Sequence, residues 1–344
     1  MRAVVAYAAK DLRIEEVSTP DVGPQEVRVR VGFGGICGSD LHYFNHGGFG
    51  AVRLREPMIL GHEVAATVDE VGAAVTRAKP GDRVAVSPSL PCNACKYCLM
   101  GRQNQCLNMR FYGSAMRTPH VHGAFRESLV CAEEQVYRVS DGTSLEMAAL
   151  AEPLAVCVHA VRQSGDLVGR RVLVTGCGPI GALVILAARR AGALEIVATD
   201  LTDTTLQFAR KIGADHTVNT SSNPDALASY AQGKGYFDAA FEASGAASAL
   251  RNCIETVQPG GVIVQLGLGG GDMSVPMQSV TAKELQLRGT FRFHEEFAVA
   301  VDYIDKGMID VKPLISATLP FTRARDAFEL ANDRSKSMKV QLAF

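Results

Sequence analysis

The chain has 344 residues, is 47% hydrophobic and carries a formal net charge of −1. That length suits two domains with a sizeable core. Basic and acidic residues are interspersed, which excludes the electrostatic footprint of a nucleic-acid-binding or anionic-membrane-binding protein. The most apolar window, IGALVILAARR, is far too short to span a bilayer. The opening stretch MRAVVAYAAKDLRIEE breaks at Lys10–Asp11 and does not read as a secretory signal. The expectation is a cytoplasmic protein, and nine cysteines in a reducing compartment are not expected to form a disulfide framework.

Residues 1–150 read as β-rich. Short alternating runs such as EVRVRVGF, EVAATVDEVG and DRVAVSPS are punctuated by Gly and Pro. Two short segments within this region, GGICGSDLHYF around Cys37 and ILGHEV around His62, carry residues able to bind a metal. Taken alone, an isolated cysteine is usually a small buried hydrophobe, and an isolated His-Glu pair is usually a surface pair.

The next segment is more specific. In PCNACKYCLMGRQNQC, Cys92, Cys95, Cys98 and Cys106 are separated by two, two and seven residues. Paired C-x-x-C spacing brings thiolates within reach of one ion, and tetrahedral zinc accepts four sulfurs. Disulfide or redox use is the disfavoured alternative. A four-thiolate site has no open position, so it is expected to staple a loop, and any reactive metal must lie elsewhere.

After about Leu150 the rhythm changes. RVLVTG reads as a strand, PIGALVILAARRAGA as a helix, EIVATD as a strand and TTLQFARKIGA as a helix. The alternation continues through YFDAAFEASG, AASALRNCIETVQPGG and VIVQLGLGG, which predicts a parallel sheet with helices on both faces. Gly176, Gly178 and Gly181 of VTGCGPIG fit G-x-G-x-x-G between a strand and a helix, with Pro179 and Ile180 completing the loop. The first glycine permits a tight turn, the second lets a pyrophosphate approach, and the third lets helix pack on strand. Asp200 ends the next strand, 24 residues after Gly176, where a carboxylate can accept from an adenosine ribose. It would repel a 2′-phosphate, and neither Leu201 nor Thr202 supplies a compensating cation, so NAD is favoured over NADP. Cys177 reads as small-residue filler, and Cys131, Cys157 and Cys253 as core residues. The last 50 or so residues hold two helical segments, near 295–306 and 322–332, and a final strand KVQLAF.

GICGSDLH, GHE, GDRV, the four-cysteine loop, AEPLAVCVHA and GCGPIG stand together in one order and spacing. In these stretches the sequence resembles the medium-chain, zinc-dependent alcohol/polyol dehydrogenases along essentially its whole length. One position departs: the family usually has glycine three residues after the Glu of GHE, and Ala66 stands there. That bears on a local backbone turn, not on the metal ligands.

The resemblance implies an α/β protein: a β-rich GroES-like catalytic domain over 1–152 and 290–344, and a Rossmann, doubly wound parallel-sheet cofactor domain over 153–289. It implies two zinc ions per chain. Cys37, His62 and Glu63 would hold the catalytic one, with a fourth position left to water or a substrate oxygen, and Glu152 nearby. The four cysteines would hold the structural one. It assigns a proton relay to Ser39, the cofactor ribose and His42, with Asp40 as an orienting group, and it suggests a homotetramer.

Within the family, GGICGSDLHYF, NQCLNMRFYGSAMRTPHVHG, GYFDAAFEASG and LRGTFRFHEEF resemble the L-idonate 5-dehydrogenases. That implies a sugar-acid substrate, L-idonate oxidised to 5-keto-D-gluconate. Sorbitol- or xylitol-type polyol oxidation is the alternative, and a catalytically silent cofactor-binding homologue is a second. Arg292 is shared by polyol enzymes and reports a polar substrate of either kind. A substrate carboxylate wants a fixed cation, and MRFYGSAMRTPHVHG supplies Arg110, Arg117, His120 and His122, of which Arg110 and Arg117 are the candidates.

Overall fold

A computed structural model describes residues 1–269 and 271–344. By packing, the chain divides into two units. The first comprises Met1–Glu152, His294–Asp333 and Lys339–Phe344; the second comprises Pro153–Phe293 and Arg334–Met338. Residues 290–293 and 334–338, expected with the first unit, group with the second. Among the described residues no helix is long and apolar enough to cross a membrane.

The first unit is built on a seven-stranded mixed sheet. Its order is Val136–Arg138, Arg83–Val86, Glu63–Val71, Glu26–Gly35, Lys339–Ala343 and Ile315–Pro320, with Ser128–Ala132 also paired to Glu26–Gly35. Strand periodicity explains the central strand. Val27, Val29 and Val31 are buried, while Arg28 and Arg30 between them take the other face. The helix Ala324–Asn332 buries Ala327 and Phe328, and the Phe328 ring meets the edges of Phe44 and Phe125. Ala66, the departure from the family pattern, is fully buried within Glu63–Val71 and pairs with Val31 and Val84. It sits beside the irregularity at which Val31 and Phe33 pair with Ala66 and Ala65, and its backbone is not left-handed, so alanine fits there.

Register decides where this sheet is useful. Gly35 pairs with Glu63 on one side and with Gln341 on the other. The end of one strand and the beginnings of two others therefore meet at one edge. Cys37 lies just past the first strand, Glu63 opens the second, and Lys339 opens the third.

The second unit is a six-stranded parallel sheet. Its order is His216–Asn219, Glu195–Asp200, Arg171–Thr175, Phe237–Glu242, Val257–Gln265 and Gln286–Gly289. The apolar run Val172–Val174 is completely buried, as a strand covered on both faces requires. Two short strands, His216–Asn219 and Gln286–Gly289, were not predicted; they are edge strands with few buried residues, which removes the periodic signal. The helix expected through AASALRNCIETVQPGG stops at Thr256, and its last five residues open a strand. Lys283 Nζ donates to the carbonyls of Ile254, Glu255 and Val257 at that helix end, so a cation meets the negative end of the helix. Gly270, the last residue of VIVQLGLGG, lies outside the described residues. Strand order reverses between Arg171–Thr175 and Phe237–Glu242, and in such sheets the crevice at the strands' carboxyl ends there is the ligand site.

Candidate functional site

Three donor groups converge at the strand edge of the first unit. The ligand atoms of Cys37, His62 and Glu63 lie within 4.8 Å of one another. Each is held by local chemistry. Cys37 caps the helix Gly38–His46, and its amide donates to Asp40 Oδ2 at 3.0 Å. Asp40 Oδ1 accepts from the Gly61 amide at 3.1 Å, tying that helix to the His62 turn. Gly61 has φ +91, and a side chain there would overlap the buried Phe125 ring, so only glycine lets the chain pass. The Phe111 ring lies 5.6 Å from the His62 ring.

Sequence reasoning missed one participant. Lys339 Nζ donates to both Glu63 oxygens, at 2.8 and 2.7 Å, and to the Ile36 carbonyl at 3.3 Å. Both side chains are buried, at 3% and 1% exposure. A lysine that deep requires a partner. The signal was a basic residue opening the mostly apolar KVQLAF.

The electrostatics ask for a cation. Burial pushes the Cys37 thiol up to about 12, with Glu63 adding to the rise and Lys339 opposing it. Glu152, buried in the first turn of the helix Ala151–Ser164, is pushed up to about 8 by burial. His62 opposes that rise, and Glu63 and Cys37 reinforce it. Asp40 is raised by burial too. His62 Nδ1 is buried without a hydrogen-bond partner among the described residues, 3.8 Å from Asp40 Oδ1. A thiol, an imidazole and a carboxylate form a donor set suited to zinc, with one coordination position to spare. Lys339 alone cannot balance a thiolate with three carboxylates, so the residues fit a divalent ion.

Ser39 and His42 sit on the helix that Cys37 caps, three residues apart and so on one face. Ser39 is half-buried and hydrogen-bonds the Cys37 side chain; His42 is exposed. The pair leads from the donor set toward solvent.

The four cysteines form a second cluster, again within 4.8 Å. Cys95 Sγ lies 3.6 Å from Cys98 Sγ, and Cys92 Sγ lies 3.4 Å from Cys106 Sγ. A disulfide needs about 2.05 Å, whereas the edge of a zinc tetrahedron with sulfurs at about 2.3 Å is about 3.8 Å. All four thiols are free. The Ala94 amide and the Cys106 side chain bring Cys92 down to about 6.

The substrate candidates separate by position. Arg110 is exposed in the short strand Arg110–Phe111, whose buried residue is Phe111. Arg117 is exposed, and its guanidinium reaches the Met109 carbonyl at 3.4 Å. His120 and His122 are spent on the backbone. His120 Nε2 accepts from the Arg55 amide at 2.9 Å and His122 Nδ1 from the Ile59 amide at 3.3 Å. Arg292, in the second unit, holds φ +54 with its guanidinium 4.9 Å from the Phe291 ring centre. A left-handed backbone at a non-glycine residue is uncommon and gathers at functional sites.

In the second unit, a cavity of about 300 Å³ opens where the strand order reverses. Its lining includes Gly176, Gly178, Asp200, Thr202, Ser244 and Arg334. Gly176 has φ +83, and a side chain on Gly181 would overlap the Gly176 carbonyl, so both glycines are required. Asp200 does more than face a ligand. Its Oδ1 accepts from the Leu201 and Thr202 amides and the Thr202 hydroxyl at 2.7, 3.0 and 3.1 Å, and its Oδ2 accepts from the Cys177 amide at 2.7 Å. The carboxylate braces the glycine loop and keeps room on Oδ2 for one further donor. Cys131, Cys157, Cys177 and Cys253 are buried.

Comparison with known proteins identifies the lineage. Residues 23–141 match the family described as "Alcohol dehydrogenase GroES-like domain" and residues 179–306 the family "Zinc-binding dehydrogenase". The chain is 42% identical to L-idonate 5-dehydrogenase (NAD(P)(+)) of Escherichia coli strain K12, over 100% of this chain and 98% of that protein. It is 36% identical to sorbitol dehydrogenase of Gallus gallus, over 99% and 95% respectively. The crystal structure of the Escherichia coli L-idonate 5-dehydrogenase superposes with a TM-score of 0.96 at 40% identity, covering 100% of this chain and 98% of that one. The chain therefore belongs to the zinc-binding dehydrogenases of the alcohol dehydrogenase type, with a GroES-like part and a Rossmann-type part.

Proposed function

We propose that this chain is a zinc- and NAD-dependent dehydrogenase that oxidises a secondary alcohol of a sugar acid, L-idonate to 5-keto-D-gluconate, and runs in reverse. The observation that carries the reading is the trio of half-buried Cys37 and buried His62 and Glu63, a three-donor set with a position to spare, beside a helix bearing Ser39 and His42. In this reading the first unit is the catalytic domain and the second the cofactor domain. Cys37, His62 and Glu63 would hold zinc, which would supply the Lewis acidity that eases loss of a hydroxyl proton near neutral pH. NAD would be held at the loop of Gly176, Gly178, Pro179, Ile180 and Gly181 and would supply the hydride acceptor.

The chain's own residues do the rest. Ser39 takes the substrate proton, and the exposed imidazole of His42, three residues on along the same helix, passes it to solvent, with the ribose of a bound cofactor as the link that would join them. Asp40 holds the Cys37 and Gly61 amides and so fixes the angle between two ligands. Lys339 neutralises Glu63 and orients it. Glu152 supplies a further carboxylate at the donor set. Cys92, Cys95, Cys98 and Cys106 hold a second, structural zinc.

Two features support a sugar acid: the relative at 42% is named for L-idonate, and Arg110 and Arg117 offer exposed cations on the segment whose Phe111 packs on His62. The relative at 36% is named for sorbitol, which supports polyol oxidation as the second reading. The Asp200 carboxylate favours NAD; the name of the first relative carries both nicotinamide cofactors. Initial rates on a panel of aldonates and polyols, with NAD and with NADP, test all of this. The expected outcome is the highest kcat/KM for L-idonate with NAD. Equal turnover of sorbitol removes the sugar-acid assignment, and a preference for NADP removes the reading of Asp200.

A further inference from the structure

The loop read above as the pyrophosphate site is short of donors. The Gly176 amide donates to the Thr199 carbonyl at 2.8 Å, and the Cys177 amide is spent on Asp200 Oδ2 at 2.7 Å. Pro179 opens the helix Pro179–Arg190 and has no N–H. The Ala182 amide donates to the Gly178 carbonyl at 2.9 Å. The amides left at the helix start are those of Gly178, Ile180 and Gly181. A dinucleotide pyrophosphate carries two negative charges, and Asp200 places a third on the same loop. The helix terminus offers the equivalent of roughly half a positive charge. The local sequence VTGCGPIG contains no basic residue.

Arg334 supplies what is missing. It lies far along the chain, on the segment Arg334–Met338, which packs with the second unit although its neighbours on both sides belong to the first. It lines the same cavity as Gly176, Gly178, Asp200 and Thr202. A methyl placed on Gly178 would lie 2.9 Å from Arg334 Nη1. The guanidinium is thus set over the bare face of the glycine whose missing side chain lets phosphate approach. A planar, always-charged fork is suited to two phosphate oxygens.

We propose that Arg334 is a pyrophosphate clamp, a cofactor-binding cation that the C-terminal segment contributes to the glycine loop. The proposal rests on the dinucleotide reading of this cavity and deepens it. Isothermal titration of the full-length, zinc-loaded protein with ADP-ribose, 2′-phospho-ADP-ribose and adenosine tests it in wild type, Arg334→Met and Arg334→Lys. Wild type that fails to bind ADP-ribose overturns the dinucleotide reading itself. Given wild-type binding, Arg334→Met is expected to weaken ADP-ribose and its 2′-phosphate alike by about tenfold to a hundredfold. Arg334→Lys should lose less, because charge remains while the fork is gone. Adenosine should change by less than about twofold, since it carries no phosphate. Unchanged ADP-ribose affinity in Arg334→Met overturns the clamp. So does a loss confined to the 2′-phosphate ligand, which makes Arg334 a reader of that phosphate. An equal loss on adenosine also overturns it, because the segment then acts by shaping the pocket.

Discussion

The first unit contains two donor clusters assembled in opposite ways. Cys92, Cys95, Cys98 and Cys106 come from fifteen consecutive residues, in a lobe whose Leu99, Met100 and Leu107 are largely exposed. Cys37 and the adjacent pair His62 and Glu63 come from two separate segments and meet only because a sheet brings strand ends together; His62 and Glu63 are buried, and Asp40 and Lys339 brace the set from two more positions. The lobe has little core of its own, so the metal it is proposed to hold would be part of its fold. The buried set is shaped by the fold beforehand, so a metal there would add chemistry more than structure. A cluster that exhausts four thiolates on one ion is closed; three mixed donors leave a position open.

That contrast is most directly broken at Cys37. Cys37→Ala is expected to remove one zinc per chain and lower kcat/KM at least about a thousandfold, since Lewis-acid stabilisation is worth several kcal/mol. The thermal midpoint should hold, because the sheet and not the metal shapes this edge. Metal analysis, initial rates and a melting curve check it; a collapsed fold would mean that the two clusters are alike.

Lys339→Met probes the countercharge. It leaves Glu63 as a buried carboxylate stripped of its cation, which costs about 3–5 kcal/mol. Denaturant unfolding of the metal-free protein should display that loss. The double variant with Glu63→Gln should recover much of it, and no recovery would show that the pair is not the source.

Cys98→Ala is the mirror of the first test. It is expected to remove the other zinc, to make the bonds near residues 92–108 sensitive to limited proteolysis, and to lower the melting midpoint by at least about 2–4 °C per kcal/mol lost. Substrate turnover by the surviving folded molecules should fall far less than in Cys37→Ala. Equal loss of activity would merge the two clusters into one function.

The finest test concerns the chain that joins them. Phe111 follows the cysteine lobe in sequence, and its ring lies 5.6 Å from the His62 ring. At least one of Arg110→Met and Arg117→Met is expected to cut kcat/KM for L-idonate about tenfold, the loss of roughly one charge-assisted hydrogen bond of about 1.5–3 kcal/mol. Activity on sorbitol should change by less than about threefold. If the ratio of the two substrates is untouched, the segment supports the site without reading a carboxylate.

Sequence alone determined whatever depends on short-range spacing. The four cysteines, the glycine loop with its strand and helix, and the alternation of strands and helices after Leu150 are local patterns, and each reappears as a cluster, a turn or a layer. Cys37, His62 and Glu63 were legible only through family resemblance, because no periodicity links residues on different strands. Tertiary structure alone decided the rest. It placed Lys339 on Glu63 across 276 positions, because a buried carboxylate must find a cation wherever the sheet's register offers one. It made Asp200, which still lines the cavity, a brace for the glycine loop as well, because a carboxylate at a strand end accepts from whatever amides surround it. It carried Arg334 to Gly178 from the far end of the chain, because long-range packing, which leaves no mark on local sequence, determines which distant side chain fills a cavity.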